Sequence, residues 1–369
     1  MSLVANSRST EIPASLLDEL LSISRYAAHD VCLVQGSGGN TSVKTVDTMW
    51  IKASGLTMAD VGTHGGYVAI DLQLALEMLR VGRWNNDLLS TKGRLRHSME
   101  AGFHALLGHV VLHTHPVYLN ALACMEGGKE ALQRLAPGAA HWGDYCAPGL
   151  NLALLVRDAI SRQRSPKAIV LANHGLIASG DTAAEVIATT DYLNYIAQQF
   201  FGEIPEHRLQ VRPPAAPVVS WIADLTTALD RYLPETRRTI LPARWHAFDD
   251  ADRLCFDGRP IFPDQVVWAP EQVLYVPADC SAAEWLKSLH SLPQRSILVL
   301  ERCGVVFVGE SARVAEAMEE NLLAAMLVRE LIARRGVVRE LSPADVDFLR
   351  NMESEKYRQA IASGGQGGR

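Results

Sequence analysis

Two stretches of this 369-residue chain repeat one pattern. The segment "IVLANHGLIASGDTAAEVIAT" (169–189) is echoed, at a constant offset of 129 residues, by "LVLERCGVVFVGESARVAEAM" (298–318). Gly175 aligns with Gly304, Gly180 with Gly309, and Asp181 and Thr182 with Glu310 and Ser311. Each copy reads as an apolar strand, a glycine turn, a second strand, another glycine, a capping residue and an amphipathic helix. A hairpin presents an apolar face that a packed helix has to cover, so the chain is constrained toward an α/β protein in which this unit occurs twice. The competing reading is a chance likeness between two common hairpin–helix units. The copies differ where chemistry is at stake: His174 of the first becomes Cys303 in the second. The "HTH" of residues 113–115 has no counterpart either, so any metal site is expected in the first half alone.

Periodicity fills in the rest. Helices are expected from Ser15 to about His29, over 71–81, 97–107, 117–126 and 150–162, and from about Thr182 to Phe201 with Asp181 as a possible cap. Strands are expected at "TMWIKAS" and at the run ending in His113, with a tight turn near Asn173, His174 and Gly175. "VRPPAAPVVS" (211–220) holds three prolines and reads as a linker. The expected organisation is a first domain over 1–210 that holds any metal site, a smaller α/β domain without one over 221–360, and a Gly-rich disordered tail, 361–369.

Composition excludes several classes. The net charge of −6, without a long Lys/Arg cluster, argues against a nucleic-acid partner. No apolar run reaches the 18 residues or so of a membrane helix, and the N-terminus lacks the basic-then-apolar order of a secretory signal. The six cysteines contain no C-x-x-C pair, which fits reduced thiols in a cytoplasmic enzyme.

The first half also carries chemistry-bearing residues. In "VVLHTHPVYLN" (110–120) an apolar strand ends in His113 and His115, which share a face because strand side chains alternate. Two imidazoles so placed can grip one metal ion, or they can be surface and capping histidines. "GSGGNTS" (36–42) can turn sharply and present backbone N–H groups to an anion, with Asn40 and Ser42 adding donors; a plain structural turn is the alternative. His104, four residues after Glu100, either supports a site on that helix face or simply packs.

Taken with "ASG" (53–55), "SMEAGFH" (98–104) and "NHG" (173–175), this ordered set resembles the class II aldolase/adducin family over roughly residues 15–205. Among its members the chain looks most like the aldolase portion of bifunctional rhamnulose-phosphate aldolase/dehydrogenase proteins, without a dehydrogenase module. "GSGGNT" is not a dinucleotide-binding G-x-G-x-x-G, since Thr41 stands where the last glycine belongs.

The resemblance implies roles and architecture. His113, His115 and His174 match the zinc ligands, leaving a coordination position for substrate, and another divalent metal is possible. Glu100 matches the acid/base residue of a lyase that cleaves a ketose phosphate or related hydroxy-ketone by retro-aldol reaction through a metal-stabilised enediolate. Asn40, Ser42, Ser54, Gly55 and Ser98 match substrate- and phosphate-binding positions, and Tyr145 and Tyr118 are minor candidates for a proton donor. Met99 replaces the second of two serines usual before the glutamate and cannot donate a hydrogen bond, which leaves room for a non-phosphorylated acid. A decarboxylase or dehydratase using the same site is the alternative, and an adducin-like scaffold without catalysis a remote one. The implied fold is a three-layer α/β/α domain around a mostly antiparallel sheet, in a homo-oligomer, dimer or tetramer, acting on a small sugar phosphate or sugar acid.

Overall fold

The computed structural model describes residues 11–62, 65–85, 89, 95–162, 166–232, 238–245, 248, 258–270, 273–289 and 291–364. The first half runs α1 (Ala14–Ala28), β1 (Asn40–Lys44), β2 (Thr48–Lys52), β3 (Tyr67–Asp71), α2 (Leu72–Arg80), α3 (Ala101–Leu106), β4 (Val110–Thr114), α4 (Val117–Ala123), α5 (Gly128–Leu135), β5 (His141–Gly143), α6 (Leu150–Arg162), β6 (Ala168–Leu171), β7 (Gly175–Gly180) and α7 (Ala183–Phe201). The second half continues α8 (Ala216–Tyr232), β8 (Thr239–Pro242), α9 (Pro263–Trp268), β9 (Val273–Val276), α10 (Ala282–Ser288), β10 (Ser296–Leu300), β11 (Gly304–Gly309), α11 (Ala312–Ala333), α12 (Pro343–Asn351) and α13 (Glu353–Ala362).

The strands form a seven-stranded sheet in the order β3-β2-β1-β4-β7-β6-β5 and a four-stranded sheet in the order β8-β11-β10-β9. In the large sheet every neighbouring pair is antiparallel except β5 with β6. Alternation along the strands sets the layers. Val111 of β4 packs with Met49, Ile51 and Ile177 beneath α2, α3 and α6, whereas Val110 and Leu112 pack with Leu20 and Ile23 of α1 and Val186 of α7. Helices thus cover both faces, which is why β4, β6 and β7 read as near-continuous apolar runs. The small sheet turns Leu298, Val306 and Val308 toward α8 and α10. Its other face, Ile297, Val305 and Phe307, shares one core with α4, α7 and the almost wholly buried α11. The result is the three-layer α/β/α domain with a smaller α/β unit packed on it.

The repeat is a structural one. β4-β7-β6-β5 and β8-β11-β10-β9 have the same strand order and the same pair directions. His113 pairs with Ile177 and Pro242 with Val306, so the offset of 129 extends back into β8 and places Pro242 at the position of His113. Asn173 (φ 51°) and Arg302 (φ 61°), again 129 apart, are the two non-glycine residues with left-handed backbone among the described residues. Each turn is followed by a hydroxyl cap: Thr182 accepts from the Glu185 N–H and Ser311 from the Val314 N–H.

Several expectations need correction. The cap of α7 is Thr182 rather than Asp181, because Thr182 has the extended backbone that aims its oxygen at the first free N–H groups. The helix expected over 97–107 begins only at Ala101, since His97 bridges Ala53 and Ser98 accepts from the Glu100 N–H. His115 lies just beyond β4 rather than within it. α8 opens at Ala216, inside the stretch read as a linker. α13 reaches Ala362, so the first residues of the expected tail are helical, and 365–369 lie outside the described residues. The five described cysteines are free, and Cys255 lies outside that set.

The two left-handed residues should respond oppositely to glycine. Arg302 is exposed, so Arg302→Gly relieves backbone strain and should stabilise the protein by roughly 0.5–1 kcal/mol. The Asn173 amide donates to the buried carbonyls of Ile261 (2.9 Å) and Arg339 (2.7 Å), so Asn173→Gly should instead cost about 1–3 kcal/mol. Urea unfolding of both variants checks this; shifts of the same sign contradict it.

Candidate metal centre

The central strand β4 and the β6–β7 turn bring three histidines together. His113 is within β4, His115 follows it with its N–H bonded to the Leu33 carbonyl, and His174 follows the left-handed Asn173. Gly175 makes the approach possible: a Cβ there would lie 2.4 Å from the Thr114 carbonyl oxygen and 2.8 Å from His115 Cδ2.

Hydrogen bonds set the ring tautomers. His113 Nδ1 is 2.9 Å from the Leu176 carbonyl oxygen, which can only accept, so Nδ1 carries the proton and Nε2 the lone pair. His115 Nδ1 stands 3.1 Å from Asp264 Oδ2, a charge contact without hydrogen-bond alignment, and the carboxylate beside it favours the proton on Nδ1. The two Nε2 atoms then stand 3.1 Å apart, and potential ligand atoms of all three histidines lie within 4.8 Å of one another. Two neutral imidazoles facing each other through lone pairs repel unless a cation lies between them. Burial lowers the pKa of His113 and takes that of His174 down to about 3, which keeps both in the neutral form a metal ion requires. The donor set therefore fits a divalent ion.

Glu100 immediately precedes α3 and enters the same space. Its Oε1 lies 3.3 Å from His174 Nε2 and its Oε2 3.6 Å from His113 Nε2. Burial alone raises its pKa, but the attraction of His113 and His174 when protonated, with the Asn40 amide hydrogen bond, more than offsets this and holds it below the usual carboxylate value. Asn40 Nδ2 donates to Glu100 Oε2 at 2.7 Å. His104 Nε2 bonds the Asn40 carbonyl oxygen, and the Ser42 hydroxyl meets His104 Nδ1 at 2.7 Å. A buried row, Ser42–His104–Asn40–Glu100, thus fixes the carboxylate.

Asn40, Ser54, Gly55 and Ser98 line the cavity beside the histidines, and so does Met99. Ser42 does not reach it; it shares Asn40's face of β1 but lies two residues further along the strand, fully buried behind His104. The glycine turn does receive an anion, but an internal one: the Gly36 N–H donates to Glu320 Oε2 of α11 at 2.8 Å. Tyr118 is turned away, its hydroxyl accepting from the Ile204 N–H, and Tyr145 packs against the cluster of Val266, Leu341, Val346 and Leu349. Neither lines the cavity.

Four charged residues of the cavity were not anticipated: Lys52, Asp264, Glu355 and Arg358. Lys52 had a visible signal, a lone lysine in an apolar strand; burial lowers its pKa to about 7. The other three come from the second half. Asp264 reads as an ordinary acid in the first turn of a helix, and Glu355 and Arg358 as a solvated i,i+3 pair.

Comparison with known proteins agrees with this geometry. The family described as the class II aldolase and adducin N-terminal domain matches residues 18–201. The chain is 30% identical over 174 residues to the 5-methylthioribulose-1-phosphate/5-deoxyribulose-1-phosphate aldolase of Rhodospirillum rubrum, a match covering 46% of this chain and 73% of that protein. It is 26% identical over 180 residues to the 3-oxo-tetronate 4-phosphate decarboxylase of Haemophilus influenzae, covering 45% and 78% respectively. It is also 24% identical over 221 residues to a Bacillus subtilis protein named uncharacterized oxidoreductase YuxG. That match covers 55% of this chain but 32% of the relative, so the chain spans about a third of that protein's length. The chain belongs to the class II aldolase/adducin family.

Replacing His104 tests the buried row. His104→Leu leaves the Asn40 carbonyl and the Ser42 hydroxyl without their partner and should cost about 1–3 kcal/mol of stability. An unchanged urea midpoint would mean that the row carries no such energy.

Proposed function

We propose that the chain is a metal-dependent aldehyde-lyase that cleaves a phosphorylated ketose, or a related hydroxy-ketone, by a retro-aldol reaction. The observation that carries this reading is the convergence of three imidazoles and the Glu100 carboxylate in one buried cavity. A divalent ion, zinc being the best fit to three histidines, would be held by His113, His115 and His174 and supplies Lewis-acid polarisation of a substrate carbonyl when bound.

The side chains of the site do the rest. Glu100 Oε1 has no hydrogen-bond donor among the described residues and is the atom available to carry a proton. In the cleavage direction it takes up the proton that the substrate hydroxyl loses as it becomes the aldehyde carbonyl and gives it to the carbon that has lost its bond; condensation runs the same transfer in reverse. Asn40 keeps the carboxylate in place through Oε2. Ser98 Oγ accepts from Asn40 Nδ2 and from the Glu100 N–H, which leaves its own proton for a substrate oxygen. Ser54 and the Gly55 backbone stand on the same wall. In this reading residues up to 210 form the catalytic part, and the second half closes over it.

A second reading has one observation in its favour. Lys52 and Arg358 give the cavity two cationic side chains, and Met99 removes a hydroxyl donor. Both features suit a 3-oxo acid, with a carboxylate on the carbon next to the carbonyl carbon, hence loss of carbon dioxide rather than of an aldehyde.

A screen of ketose 1-phosphates and 3-oxo acid phosphates separates the two. Release of an aldehyde with dihydroxyacetone phosphate or its analogue is the expected result, and carbon dioxide release would replace the lyase reading with a decarboxylase. Glu100→Gln should lower kcat by about 10²–10⁴-fold with metal content unchanged. Turnover that survives this substitution would remove Glu100 from its role.

A further inference from the structure

His115 is the candidate ligand least constrained by its own segment. It lies beyond the end of β4, so no strand pairing holds its ring. What faces its Nδ1 comes from the second half: Asp264 Oδ2, at 3.1 Å, from the first turn of α9. Asp264 is 3% exposed, and its other oxygen is bonded to the Arg358 guanidinium of α13. Arg358 Nε lies 3.3 Å from Glu355 Oε2, and its guanidinium stands 5.5 Å above the Trp268 ring. In the row His115–Asp264–Arg358–Glu355 all but Arg358 are buried, and its side chain is 13% exposed.

The surroundings are fitted to this row. A Cβ on Gly38 would lie 2.4 Å from Asp264 Oδ2 and 3.1 Å from His115 Nδ1, so only glycine admits the contact. The Asn173 amide, beside His174, donates to the Ile261 carbonyl three residues before Asp264. The turn carrying one histidine and the helix supporting another are thereby tied together.

We propose that Asp264 is a positioning residue of the metal site. Its carboxylate, 3.1 Å from His115 Nδ1, draws the ring proton to that nitrogen and so leaves Nε2 as the ligand atom. Arg358, backed by Glu355, prevents the carboxylate from turning away. The second half, which has Pro242 at the position matching His113, supplies the outer support of the first half's site instead of a site of its own. This deepens the metal-site reading and rests on it. The alternative is an ion pair that merely fastens α13 to α9, which would affect stability and leave metal affinity alone.

The test uses the full chain and zinc itself. Zinc affinity is measured by competition with a chromophoric chelator, together with the absorption bands of the cobalt(II)-substituted protein and thermal unfolding of the metal-free forms. Asp264→Asn should weaken zinc binding about 10–100-fold and shift the cobalt bands. Glu340→Gln, which breaks a comparable ion pair with Arg259 and Arg329 elsewhere, should leave both unchanged. Where Asp264→Asn fails to fold, Asp264→Asn with Arg358→Met removes both buried charges together and is measured in its place. Zinc affinity within about twofold of the parent and unaltered cobalt bands in a folded variant overturn the proposal while leaving the metal site standing. A parent chain that binds no zinc overturns both.

Discussion

The arrangement of this protein depends on the direction in which three imidazole rings point. An imidazole is a metal ligand through whichever nitrogen lacks a proton, and the partner of the other nitrogen decides which that is. Here a backbone carbonyl decides for His113 and a carboxylate for His115. Once Nε2 of both rings carries a lone pair, their 3.1 Å separation is unfavourable without a cation. The central position of β4, the left-handed turn at Asn173 and the missing side chain of Gly175 serve to bring these atoms to one place.

The internal repeat shows the same backbone put to another use. In the second unit Pro242 stands where His113 does, and Arg244, two residues on, stands where His115 does. A proline ring offers no lone pair, and a guanidinium is never a ligand. Arg244 instead pairs with Glu319 at 2.6 Å and with Glu320, whose other oxygen accepts from the Gly36 N–H. Charge in the second unit thus acts in packing the two halves together. Asp264, Glu355 and Arg358 extend the same division of labour to the cavity, where the second half contributes charged side chains around ligands that it lacks.

The elements with strong local signals were legible in sequence. The hairpin and helix of the first unit were readable because glycines and apolar runs agree, although the cap is Thr182 and not the expected Asp181, and α6 because its apolar spacing is regular. The three histidines and Glu100 were legible through an ordered set of motifs, which marks who is present without giving ring orientation. Ser42 was misplaced because, although it shares a strand face with Asn40, the His104 ring fills the space between it and the cavity. α8 was missed because a proline-rich start hides a helix whose propensity signal begins only after Pro217. Asp264 and Arg358 were illegible for a different reason: their meaning comes from contacts made 149 and 94 residues away along the chain, with His115 and with each other, and nothing local announces them.

Metal analysis of the purified chain combined with X-ray absorption at the metal edge tests the central claim most directly. One divalent ion per chain, with a scattering shell dominated by imidazole nitrogens at about 2.0–2.1 Å, is the predicted result. A chain that holds no ion after incubation with zinc, or an ion whose shell lacks imidazole, would contradict it.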